Sequence, residues 1–196
     1  MPKIVDHEQQ RRELSATVAS ALAELGLENT TLRAVAMRHG CTKGMVQHYF
    51  TDKEELLLAA LTWVEEQCEV RLAKSSGNLT GLALLHARMG AQLPTNSVVL
   101  DEWKVRLAFN TRAGLSPEMR DILTLSSARQ QQLGLSCLRQ AQKAGELRAG
   151  LNLRNSYRSL TALVAGISLG VVLDQQSLSV STQHHLLKTA IENLRH

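Results

Sequence analysis

The sequence predicts an all-α protein, with a small N-terminal unit of three helices followed by a larger helical body. Three observations carry this. Apolar residues recur at three- and four-residue spacing along nearly the whole chain. No segment alternates apolar and polar residues at period two, as half-buried strands do. Only three prolines occur, at positions 2, 94 and 117, so little interrupts a helix.

The first helix carries Leu14, Val18, Ala21, Leu22 and Leu25 on one stripe and is stopped by Gly26. A second, short helix follows Thr30 or Thr31, either of which can accept a bond from an orphan amide; its stripe is Leu32, Val35 and Ala36. The third begins after Thr42 and ends near Tyr49. Asp52 with Glu55, or Thr51 with Glu54, supplies a capping box for a long fourth helix reaching about Lys74. "KSSGNLTG", Lys74 to Gly81, reads as a loop. Helical patterns then cover about 79–92, 98–113, 117–144, 155–174 and 182–195. Ser116 caps the third of these with Pro117 at its first position, and Gly145 and Gly150 mark its end.

At 196 residues with 44 % hydrophobic side chains, the chain can bury a real core. The opening "MPKIVDHEQQRR" lacks the apolar centre of a signal peptide. The most apolar run, "LTALVAGISLGVVL" from Leu160 to Leu173, falls short of the roughly 18 apolar residues of a membrane span and is expected to be a buried helix. A cytoplasmic location is the expectation. Cys41, Cys68 and Cys137 are far apart, with no C-x-x-C pair, which fits buried thiols in a reducing compartment and neither a disulfide framework nor a zinc site. The net charge is +4, and its placement is informative. Arg33, Arg38, Lys43 and Lys53 face only Asp52 between residues 29 and 53, whereas 54–73 holds five glutamates against Arg71. A basic unit beside an acidic helix points to a local contact with an anion. A second basic window, 129–158, reads as a solvated helix face.

Within "TTLRAVAMRHGCTKGMVQHYFTDKEELL", Thr30 to Leu57, the residues Ala36, Gly40 and Val46 stand at A-x3-G-x5-V spacing. A small residue lets two helices cross closely, glycine takes positive φ at the helix end, and valine packs the next helix onto the first. This is the helix-turn-helix pattern, whose second helix enters the DNA major groove. Thr31, Thr42 and Lys53 fall at helix starts, where hydroxyls, amides and the helix dipole suit phosphate. Lys43, Gln47 and His48 project from the second helix, and Gln47 can pair bidentately with adenine. Tyr49 offers a hydroxyl or a ring to the backbone, while Phe50 is expected in the core. Arg11 and Arg12 at the start of the first helix suit either a phosphate or solvent.

Extended to "TTLRAVAMRHGCTKGMVQHYFTDKEELLLAAL", the segment resembles the N-terminal signature of the TetR family of transcriptional repressors, over about residues 8–61. Cys41 departs from the aliphatic residue usual there, and as a small hydrophobe it can still pack. The resemblance implies a helix-turn-helix domain over 1–51 and a ligand-binding and dimerisation domain over 52–196. It also implies a homodimer on an inverted-repeat operator, released by a small molecule, with Thr31, Thr42, Lys43, Gly44, Gln47, His48, Tyr49 and Lys53 as DNA contacts. Gly44 would let backbone approach phosphate. No cofactor is implied.

In the body, Ala162, Ala165, Gly166, Leu169 and Leu173 form one stripe, and Leu187, Ala190, Ile191 and Leu194 another. Two such helices from each subunit make the four-helix interface the resemblance implies; otherwise both stripes face their own core. "LDEWKVRLAFNTRAG" resembles the branch of the family that includes choline-responsive BetI-type repressors. Trp63, Trp103, Phe109 and Tyr157 would form a cage for a quaternary ammonium if they converge, and are ordinary core residues if they do not. Asn110, Gln130 and Ser168 are candidate polar lining. "GISLG" matches G-x-S-x-G, with Asp174 and His184 beyond, but no strand precedes Ser168 as a hydrolase requires. An enzyme is therefore not expected, and a small helical enzyme or a protein-interaction module stands as the alternative.

Overall fold

In the computed structural model, which describes residues 6–195, the chain forms nine α-helices and no strand among the described residues. They are α1 (His7–Asn29), α2 (Leu32–His39), α3 (Lys43–Tyr49), α4 (Lys53–Ser76), α5 (Gly81–Gly90), α6 (Ser97–Ala113), α7 (Pro117–Lys143), α8 (Leu153–Leu173) and α9 (Val180–Glu192). Residues 1–5, the start of the segment read as lacking a signal peptide, lie outside the described residues, as does His196.

Caps set most boundaries. Thr31, Thr42, Asp52, Asn96, Ser116, Asn152 and Ser179 each accept from an amide in the first turn of the helix they precede. α1 leaves helical geometry at Gly26, where the sequence stops it, and a last turn carries the chain to Thr30. Glu55 completes the cap of α4 in a variant way: Asp52 accepts from the Glu55 amide, while the Glu55 carboxylate accepts from the amide and hydroxyl of Thr51 at 2.9 and 3.0 Å. α4 runs two residues past Lys74, so the loop is shorter than expected. Thr80 makes no side-chain cap on α5; the Glu146 carboxylate reaches across from beyond α7 to accept from the Leu82 amide instead.

The core has two parts. One is built from α1–α4 and includes Leu14, Val18, Val46, Phe50, Leu56 and Leu57, all fully buried. It also takes in Val105, Phe109 and Ala113 of α6. The other gathers α5–α9 around Leu85, Met89, Leu138, Tyr157, Val164 and Leu187, with Val99 and Trp103 of α6. Helix α6 thus contributes to both.

The two stripes expected at a subunit interface part company. Leu187 and Ile191 of α9, and Leu194 just beyond it, are buried in the chain's own core, so that stripe is not free for a partner. On α8, Ala162, Gly166, Leu169 and Leu173 face outward, with Leu173 77 % exposed. α8, expected as a buried helix, is buried along one side. It is long and apolar enough by composition to cross a membrane, yet its inner side, with Tyr157, Leu160, Val164, Ile167 and Val171, packs into the body. A periodic stripe identifies an apolar face without saying which neighbour covers it.

Cys137 is buried, and Cys41 and Cys68 are half-buried rather than fully so. Burial pushes all three thiols above their ordinary range, which disfavours the thiolate.

Candidate functional site

α2 ends at Gly40, whose φ of 75° and ψ of 30° are the left-handed values only glycine takes without strain. The chain turns through Cys41, and Thr42 caps α3. Val46 and Phe50, fully buried, pin the inner side of α3. Its outer side is left bare: Lys43, Gly44, Gln47 and His48 are all exposed. A methyl group built on Gly44 would meet nothing nearer than Thr42 Oγ1 at 3.9 Å, so a backbone could come close there. The hydroxyl oxygens of Thr31 and Thr42 already accept from Ala34 and Met45 at 3.1 and 3.2 Å, leaving each O–H to donate outward.

Tyr49 is half-buried, with its hydroxyl 3.2 Å from His7 Nδ1 and its ring edge-on to His48. Lys53 Nζ donates to the Glu28 carbonyl at 3.3 Å, which ties the start of α4 to the end of α1. Arg11 is exposed, yet its guanidinium is engaged. It donates to the Tyr49 carbonyl and to Glu55 Oε1 at 2.5 and 3.0 Å, and its guanidinium stands over the Phe50 ring at 4.8 Å. It clamps α1, α3 and α4 together. The amide of Thr51 and then Arg11 hold the Glu55 carboxyl below its ordinary range. Arg38 is likewise engaged, with Glu24 at 2.6 Å and Ser20 at 3.0 Å. The cations left projecting from the unit include Lys43 on α3.

The second feature is a cavity of about 260 Å³ in the body, between α4, α6, α7 and α8. It brings together four of the seven residues considered as ligand contacts: Trp103, Asn110, Gln130 and Tyr157. Two of its rings are fixed by their polar tips. The Trp103 indole N–H donates to the Gln92 carbonyl at 2.6 Å, and the Tyr157 hydroxyl donates to the Gln130 carbonyl at 3.0 Å. Tyr157 also rests where α7 carries Gly134; a methyl group there would stand 1.9 Å from the ring. The other three residues lie elsewhere. Trp63 lines a groove of about 400 Å³ between α1 and α4. Phe109 is fully buried in the N-terminal core. Ser168 is fully buried, with its hydroxyl donating to the Val164 carbonyl at 2.7 Å inside α8. The four aromatic residues therefore form no cage, and Ser168 is no exposed nucleophile on a strand-to-helix turn.

Sequence reading missed the charged lining. Arg106 and Glu65 face the cavity, and Ser126 donates to Glu65. The signal was present for Arg106: it stands three residues after Trp103 and four before Asn110, so all three share one side of a helix. Glu65 had no such marker, as one of five glutamates on α4. Among the described residues, no cluster of side chains has the makings of a metal site.

Residues 82–196 match the family described as BetI-type transcriptional repressor, C-terminal, and residues 15–60 match the bacterial regulatory proteins of the tetR family. The HTH-type transcriptional regulator BetI of Burkholderia mallei is 26 % identical over 196 residues, covering 99 % of this chain and 97 % of its own. The regulator PksA of Bacillus subtilis is 29 % identical over 122 residues, 62 % of this chain and 60 % of its own. Among solved structures, a transcriptional regulator from Saccharomonospora viridis, crystallised in complex with choline, superimposes with a TM-score of 0.86 at 25 % identity, over 97 % of this chain and all of its own (100 %). A regulator from Rhodococcus sp. Rha1 gives 0.80 at 26 % identity, over 94 % and 95 % of the two chains.

Proposed function

This chain belongs to the TetR family of transcriptional regulators, with a BetI-type C-terminal domain, and on that premise we propose that it is a homodimeric, cytoplasmic repressor that binds an inverted-repeat operator and is released by a small molecule. The observation that carries the DNA-reading half is the two-sided character of α3. Its buried side, Val46 with Phe50 just beyond, fixes the helix, and the exposed side presents Lys43, Gly44, Gln47 and His48 together. Such a helix, only seven residues long and held by its neighbours, fits the major groove. Thr31, Thr42, Tyr49 and Lys53 flank it as phosphate contacts, with Tyr49 and Lys53 held in place by His7 and Glu28.

Residues 1–51 do the reading in this proposal, and 52–196 hold the effector and the partner. The effector occupies the cavity that Trp103, Asn110, Gln130 and Tyr157 line. The second subunit packs on the outward stripe of α8, Ala162 to Leu173, with the exposed side of α9 beside it. A stable contact of this kind covers about 800 Å² on each partner, more than one stripe of small residues offers, so α7 joins it through the groove it makes with α8. Effector binding shifts the population toward a spacing of recognition helices that does not fit the operator, by its differential affinity and no more.

Selection from a pool of random duplexes at near-physiological salt tests the reading. Enrichment of an inverted repeat supports it. A folded sample that enriches nothing overturns it.

A further inference from the structure

Arg106 lies midway along α6 with its side chain 16 % exposed, and its guanidinium is 5.4 Å from the centre of the Trp103 ring. Its Nη1 is buried and has no hydrogen-bond partner. Glu102 Oε2 is 3.8 Å from that nitrogen, too far for a hydrogen bond. Glu102 is already held by both terminal nitrogens of Arg71, at 2.5 and 2.6 Å. One carboxylate therefore serves two guanidinium groups, and burial works against the charge on Arg106. A donor buried without an acceptor in a folded protein calls for an explanation, and an absent ligand is one.

Glu65 supplies the opposite charge. It reaches the same cavity from α4, accepts from Ser126, and forms no ion pair among the described residues. Arg106 and Glu65 are near enough to influence each other but do not meet. A lone cation entering the cavity encounters the like charge of Arg106, which already covers a face of Trp103. A lone anion encounters Glu65. A molecule carrying both charges satisfies both walls, and its stem lies against the fixed rings of Trp103 and Tyr157. At about 260 Å³ the space is below that of a drug-sized site and holds only a small molecule.

We propose that this cavity takes a compact zwitterion, its carboxylate on the guanidinium of Arg106 and its ammonium beside Glu65 and Ser126. The assignment rests on the reading of the chain as an effector-responsive regulator. Its test is isothermal titration of the full chain with 4-aminobutyrate and its N-trimethyl derivative, with glycine and 6-aminohexanoate to vary the charge spacing. Butyrate and choline serve as single-charge controls. At least one zwitterion is expected to bind tenfold or more tightly than either control. Arg106→Gln then lowers that affinity at least tenfold, and Glu65→Gln turns the preference toward butyrate. Thermal melts establish that each variant is folded. Should Arg106→Gln not fold, Arg106→Lys keeps the charge but loses the planar fork and is expected to weaken zwitterions selectively.

Choline or butyrate binding as tightly as every zwitterion overturns the assignment, and so does zwitterion affinity that both substitutions leave unchanged. No binding by any zwitterion overturns it as well. Operator selection on the same preparation separates the two levels. An enriched inverted repeat without zwitterion binding removes only the ligand class, whereas failure to enrich any DNA removes the regulator reading beneath it.

Discussion

Arg71 on α4 grips Glu102 on α6 with both terminal guanidinium nitrogens, at 2.5 and 2.6 Å, and the Glu102 side chain is only 2 % exposed. The same arginine donates to the Ala91 carbonyl beyond α5 at 3.3 Å, so one side chain ties three helical segments. Removing one partner of a buried pair strands the other charge, typically at about 3–5 kcal/mol. Glu102→Ala leaves two guanidinium groups facing each other and is expected to lose stability in that range. Urea unfolding checks it, and a loss below about 1 kcal/mol would show that water screens the pair.

Arg106 gives the opposite expectation. Its charge is buried with one donor unmatched, so a side chain of similar length without charge removes a cost. Arg106→Met is expected to melt at the same temperature as the unmodified chain or a few degrees higher, because Glu102 keeps Arg71. A markedly lower melting temperature would mean that the contact with Trp103 outweighs the unmatched donor.

On the proposed reading, Gln47 on α3 reads a base and Lys53 at the start of α4 contacts the backbone. Gln47→Ala is expected to relax sequence preference at one position of each half-site, by about 1–3 kcal/mol. Lys53→Ala should weaken every duplex alike and reduce the salt slope by about 1. Binding assays against single-base operator variants at two salt concentrations distinguish the two. If both substitutions weaken all sequences equally, Gln47 is not a base reader.

Glu55 sets a pH dependence on the N-terminal unit. Its folded-state pKa is lowered, first by the Thr51 amide and then by Arg11. A lowered carboxyl contributes stability that is fully present above the unfolded glutamate value of about 4.3 and is lost as pH falls through the lower folded value. Thermal melts between pH 7 and 3 should therefore fall in the acid range, and Glu55→Gln should flatten that decline. An unchanged slope would place the acid sensitivity on other carboxylates.

Two glycines make a matched pair. A methyl group on Gly134 would stand 1.9 Å from Tyr157, whereas one on Gly166 meets nothing within 4 Å. Gly134→Ala is expected to cost about 1–3 kcal/mol by overpacking and to disturb the cavity through the displaced ring. Gly166→Leu leaves the fold of one chain intact but fills the outward stripe of α8. Sedimentation should find it shifted from dimer to monomer, and an unaltered dimer would place the interface elsewhere.

The helices were legible in the sequence because caps and periodicity are local signals: Thr42, Asp52 and Ser116 each begin a helix where hydroxyl or carboxylate chemistry favours one. The recognition unit was legible for the same reason, since Gly40 and Val46 act within a dozen residues. Burial was harder. Trp103 and Phe109 are six residues apart, about 120° around a helix, and they enter different cores. Leu187 and Ile191 lie on a stripe that suits a partner or the chain's own core, and they pack inward, since no local signal says which helix will cover a stripe. The pairing of Glu65 with Ser126 joins residues 61 positions apart, and only the assembled fold brings it into view.

Helix α6 is a party wall. Trp103, Arg106 and Asn110 form its surface on the cavity side, and Val105, Phe109 and Ala113 are set into the N-terminal core on the other. A wall shared by two rooms needs no wire to carry a push from one to the other. A molecule that tilts α6 from the cavity side is expected to displace Phe109, and with it the seat of α1 and the unit that bears α3. At α6 the two rooms stand one helix apart.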